Sequence, residues 1–119
     1  MKKLKTFLSL CSIIGVISCA TEKAEPDVCG ELAVSFQTDI KPIIEASCKF
    51  ESCHLEPTSA PYVMEPLSEF QDFTQNNQSK FFAAIEHTGG VKMPKFADKL
   101  PDSSIAKLKC WVLDGSKDN

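Results

Sequence analysis

The chain has no arginine; all thirteen of its basic residues are lysine, in a sequence of 119 residues with a net charge of −3. Lys2, Lys3 and Lys5 stand ahead of every acid, and without them ten lysines face sixteen acids, a net of −6. An acidic domain without guanidinium groups excludes nucleic acid as a partner, because that recognition favours basic patches and the planar arginine fork. The apolar stretch Phe7 to Ile17 falls short of the roughly 20 residues a membrane-crossing helix needs. Strand alternation, internal repeats and low-complexity tracts are all missing, and the length allows one domain. What remains is an all-α reading.

The N-terminus has the layout of an export signal: three lysines, the apolar stretch FLSLCSIIGVI, then Ser18-Cys19-Ala20. Val16-Ile17-Ser18-Cys19 resembles a bacterial lipobox, in which the signal is cut before a cysteine that then takes lipid. Two readings are open, lipidation of Cys19 and a plain signal cut near Ala20; a cysteine at that position favours the first. The expected organisation is a signal peptide over 1–18, a tether over 19–30 beginning at lipidated Cys19, and a helical domain over 31–116. The terminal SKDN reads as a frayed tail. Of six cysteines, Cys11 leaves with the signal and Cys19 carries lipid. Cys29, Cys48, Cys53 and Cys110 remain, an even number suited to an oxidising compartment.

Helix signals follow. Thr38 or Asp39 can cap a helix through IKPIIEASC, with Pro42 in the first turn where its missing N–H does least harm. The stretch Leu55 to Pro66, with three prolines, reads as a loop, and a short helical piece is expected near Leu67–Phe73. Ser79 can cap KFFAAIEHT, ended by Gly89-Gly90, with Phe82, Ile85 and Phe81 facing inward. A last helix begins at Asp102 or Ser103 and stops at Gly115. Ile105, Leu108, Trp111 and Val112 form its apolar stripe, with Cys110 at the edge.

The chemistry-bearing stretch is Cys48-Lys49-Phe50-Glu51-Ser52-Cys53-His54. Two cysteines with a histidine directly after the second are the signature of covalent haem c attachment: the sulfurs add to the haem edge and the imidazole reaches the iron. The usual spacing is two residues; here it is four. A Cys48–Cys53 disulfide, a zinc site and a copper site compete, the zinc site lacking a second Cys/His pair. An electron-transfer haem wants a second axial ligand. Met64, His87 and Met93 are candidates, and Met93 is best placed because Pro94 holds it extended, away from the local backbone.

The segments SFQTDIKPIIEASCKFESCH (35–54) and AIEHTGGVKMPKFADKLPDSSIAKLKCWVLDG (84–115) together resemble a class I cytochrome c domain of the short type found in bacterial lipoproteins. The resemblance covers nearly the whole mature chain and departs from the pattern in the spacing of the cysteines. It implies a helical domain wrapped around one haem c. Cys48 and Cys53 would be the thioether residues, His54 the proximal iron ligand, Met93 the distal one, and Trp111 would pack near the haem. The pattern does not require Cys29 and Cys110, but first and last helices cross in such folds, which would bring the two within reach of a disulfide; two free thiols are the other reading.

The expected function is single-electron transfer by a membrane-tethered, monomeric, non-enzymatic protein facing the periplasm, on the outer membrane, with a redox protein as partner. A haem peroxidase or gas sensor with an open sixth position is a second reading, and a disulfide-stapled binding lipoprotein without haem a third. Lys92, Lys95 and Lys99 flank Met93 and would steer an acidic partner. With few large side chains for a dry core, the chain is expected to pack poorly without the macrocycle.

Overall fold

Proline and apolar spacing set the helices, and the computed structural model describes residues 28–50, 53–55 and 64–119. Among these described residues five α-helices follow in order: α1 (Val28–Glu31), α2 (Lys41–Ser47), α3 (Leu67–Asn76), α4 (Gln78–Ile85) and α5 (Asp102–Leu113). A π-helical turn, Phe36–Ile40, leads directly into α2. No strand occurs among the described residues, so the all-α reading stands.

The first helical segment starts earlier than its capping residues suggest. Ser35 precedes the π-helical turn, and the Asp39 carboxylate accepts the Ser35 backbone N–H at 3.1 Å. Asp39 therefore sits inside the segment and reaches back to its start, as the acidic member of a capping box does. Pro42 falls in the first turn of α2, directly after the π-helical turn, to which Lys41 still bonds through its N–H to Phe36; Pro42 has no N–H to add to that ladder. Pro66 and Pro101 hold extended backbone just ahead of α3 and α5. The Pro101 carbonyl accepts the N–H groups of Ser104 and Ile105.

Helix α4 closes before the two glycines. Its last residue is Ile85, and His87 takes a left-handed φ of 59°. The His87 N–H then donates to Ala84, and the Thr88 N–H to Ala83. This is a Schellman closure with histidine where glycine is usual. Helix α5 ends where the sequence says, on the same closure. Gly115 turns at φ 91°, with Ser116 N–H donating to Trp111 and Gly115 N–H to Val112.

Periodicity becomes core in α5: Ile105, Leu108, Trp111 and Val112 are buried, with Cys110 beside them at 5% exposure. Against them lie Phe36, Ile40 and Ile44 from the first segment and Phe70, Phe81 and Ile85 from α3 and α4. Trp111 sits between Phe36 and Phe70, 5.5 Å from each ring, and Phe81 meets Phe70 edge-on at 5.8 Å. The expectation of a poorly packed core is thus corrected. Phe36, Phe70 and Phe81 pack on one another or on Trp111, which fills this part of the interior with protein side chains. On α4 the inward faces are Phe81 and Ile85, while Phe82 is half-buried.

Cys29 on α1 and Cys110 on α5 form a disulfide with Cα atoms 5.2 Å apart across 81 residues of sequence. The C-terminal residues, expected to fray, are bonded instead. Asn119 accepts the Phe36 N–H through its side chain and the Gln37 N–H through its carbonyl. The Lys117 carbonyl accepts the Trp111 indole N–H at 2.8 Å.

Candidate functional site

Cys48 follows the last residue of α2 and donates its N–H to Ile44 at 2.8 Å. Beyond it the chain folds back on itself. The Cys48 carbonyl accepts both Phe50 N–H (3.2 Å) and His54 N–H (3.3 Å), and Cys53 N–H donates to Phe50. Cys48, Cys53 and His54 therefore share one closed loop. Met64 joins it, its N–H donating to the His54 carbonyl at 3.1 Å. A Lys49–Glu65 ion pair of 2.8 Å fastens the same stretch from outside.

The two thiols are free, in a chain whose remaining described cysteines are oxidised. Both are half-buried, and Cys48 and Met64 pack against the core. Burial pushes the Cys48 thiol up to about 11, and negative charge on Cys53 would push it the same way. Desolvation disfavours the thiolate, so Cys48 keeps its proton and is a weak nucleophile.

Met93 belongs to a different piece of architecture, the connection between α4 and α5. Its N–H donates to Ala84 at 3.0 Å, and its carbonyl lies 3.0 Å from His87 Nε2. The two residues weighed against each other from sequence, His87 and Met93, thus close one turn together. Met64 is the methionine whose backbone the structure ties to His54.

The expectation of haem c and its iron is corrected here. Among the described residues, which include Cys48, Cys53 and His54, no group of three or more His, Cys, Asp or Glu side chains is placed to hold a metal ion. Backbone closure brings the three residues into one loop without converging their side chains, and the interior aromatic residues are already packed on one another. The same finding counts against the zinc reading. Two surface hollows, of about 640 and 460 Å³, are lined by residues of the α1–α5 corner and by Glu86 with the start of α5. Neither is lined by Cys48, Cys53, His54 or Met93.

The Cys29–Cys110 disulfide, preferred over two free thiols, is present. Cys19, the signal over 1–18 and the tether up to residue 27 lie outside the described residues, as do Glu51, Ser52 and 56–63. No family model, curated protein or solved structure matches the chain. The likeness to class I cytochromes c therefore remains one of sequence pattern.

Proposed function

We propose that this chain is an exported electron-transfer protein, tethered through lipid on Cys19 and facing the periplasm on the outer membrane. Its redox-active segment is the Cys48–His54 loop, in which the Cys48 and Cys53 thiols would close into a disulfide, giving two electrons and two protons to a disulfide of the partner protein, which becomes a dithiol. One observation carries the reading. Of the four cysteines beyond Cys19, two are spent on a long-range disulfide, and the other two stay as thiols in one closed loop beside a histidine. Disulfides belong to oxidising compartments, which suits export. A pair of thiols kept out of structural bridging in such a compartment is a pair with other chemistry. The protein acts on a redox partner protein rather than on a small substrate, and it works as a monomer.

Voltammetry of the full-length protein purified from membranes tests the reading. A reversible two-electron thiol–disulfide response is expected, lost in Cys48→Ser and in Cys53→Ser and retained in Cys29→Ser/Cys110→Ser. A protein whose only reducible group is the Cys29–Cys110 bridge would sink it. A second reading, a stapled binding lipoprotein with no redox role, is favoured by the disulfide itself. It predicts that silent result together with an intact fold.

A further inference from the structure

We propose that the connection between α4 and α5 is a membrane-contact loop, with Phe96 entering an anionic bilayer surface and Lys92 and Lys95 meeting its phosphate headgroups. The inference rests in part on the lipid tether at Cys19. Phe96 is 97% exposed and Val91 61% exposed, in a connection that also exposes Lys92 and Lys95. The Phe96 backbone takes a left-handed φ of 62°, a conformation that costs a bulky side chain energy. Lys95 Nζ stands 5.1 Å from the centre of the Phe96 ring. An apolar ring with cations beside it is the arrangement that sits at a lipid–water boundary, ring among the acyl chains and ammonium groups at the phosphates.

The loop is held rather than loose. Met93 is bonded to Ala84 on one side of Phe96, and Leu100 is 8% exposed on the other. The fold therefore presents the ring to solvent while anchoring the ends of its loop. Residues 88–99 carry three lysines and one acid, Asp98, a net of +2 in a mature chain of −6. Lys99 is paired to Asp102 at 2.9 Å, which leaves Lys92 and Lys95 as the cations for headgroups. Each lysine near an anionic surface strengthens binding about fivefold.

A bilayer fits better than the acidic protein suggested by the lysines alone. A single protruding ring inserts into a fluid interface without a matching pocket. Eight residues separate Cys19 from Val28, a maximum reach of about 29 Å. With lipid on Cys19, the bilayer is thus held at high effective concentration beside the loop, and even a weak contact forms.

The experiment uses full-length Phe96→Trp protein purified from membranes and added to vesicles with brominated acyl chains. One set contains phosphatidylglycerol with phosphatidylcholine, the other phosphatidylcholine alone. Native Trp111, 1% exposed, gives the background signal. Flotation at low and high salt is expected, with quenching of the introduced indole on anionic vesicles that Lys92→Glu/Lys95→Glu weakens by about tenfold or more. Flotation at low salt only, abolished by the same charge reversal, supports the loop and removes the tether. Flotation at both salts without quenching overturns the loop and keeps the tether. Failure to float at all, or cross-linking of the loop to an acidic protein without lipid contact, also overturns the proposal.

Discussion

Thr74 on α3 and Ser116 just beyond α5 meet hydroxyl to hydroxyl at 2.9 Å, both with no exposed surface. The Gln75 side-chain amide donates to the same Ser116 oxygen at 2.8 Å and to the Val112 carbonyl. This buried knot joins two helices distant in sequence. Ser116→Ala takes an acceptor from the Gln75 amide and a partner from the Thr74 hydroxyl, which itself donates to the Gln71 carbonyl, and should cost about 1–3 kcal/mol, read as a lowered urea midpoint. Ser116→Gly is a control that eases the positive φ of 53° while removing the same hydroxyl. If it destabilises as much as alanine, bonding rather than backbone strain is responsible.

The Cys29–Cys110 bridge closes a loop with a separation of 81 residues. By the chain-entropy relation, such a loop stabilises the fold by about 4–5 kcal/mol. Cys29→Ser/Cys110→Ser should lose a large part of that by denaturant unfolding, and adding reductant to the double variant should then have no further effect on the midpoint.

Trp111 is 1% exposed, flanked by Phe36 and Phe70, and donates its indole N–H to Lys117. Trp111→Ala should cost about 3–5 kcal/mol. Trp111→Phe should cost less, since it keeps most of the ring contact and loses the bond to the tail. Calorimetric unfolding of the two variants ranks them, and equal losses would mean that volume is not what matters there.

Asp39 is held below the usual carboxylate range, first by the Lys107 ammonium hydrogen bond and then by the Ser35 backbone N–H. A carboxylate whose folded pKa is lowered stabilises the fold in full above about pH 4 and loses that contribution as pH falls through its folded value. Asp39→Asn should flatten the acid limb of the stability–pH curve in that window and leave its slope near neutrality unchanged.

Cys48 has the opposite sign. Its thiol is pushed up to about 11, so the folded chain holds a proton that the unfolded chain releases, and stability falls as pH climbs from about 9 toward 11. Near neutral pH its thiolate fraction is about a hundredfold below that of an ordinary cysteine. Peptide mapping after iodoacetamide should find Cys48 labelled correspondingly slowly in the folded protein and at the ordinary rate in urea.

Much of the helical frame was readable from the sequence, because local chemistry decides it. Pro101 ahead of α5, the i, i+3, i+6, i+7 apolar stripe within it and Gly115 after it act over a few residues. Boundaries shifted where side chains answered to distant partners. Asp39 binds Lys107 on α5, and His87 takes the helix-closing position ahead of the two glycines. The loop of Cys48, Cys53 and His54 was legible as a constellation. That their side chains would not converge on a metal was not, since convergence depends on how α2 lies against the aromatic core.

Two residues mark the division best. The sequence determined that Cys110 rides at the edge of an apolar helix. Only the tertiary structure decided that Cys29, 81 residues away, lies close enough to bond. Similarly, the pattern determined that Trp111 and helix-borne phenylalanines such as Phe81 face inward, because apolar surface leaves water wherever spacing allows. What those rings meet was decided by packing, which sums contacts from every helix at once, and here they meet one another.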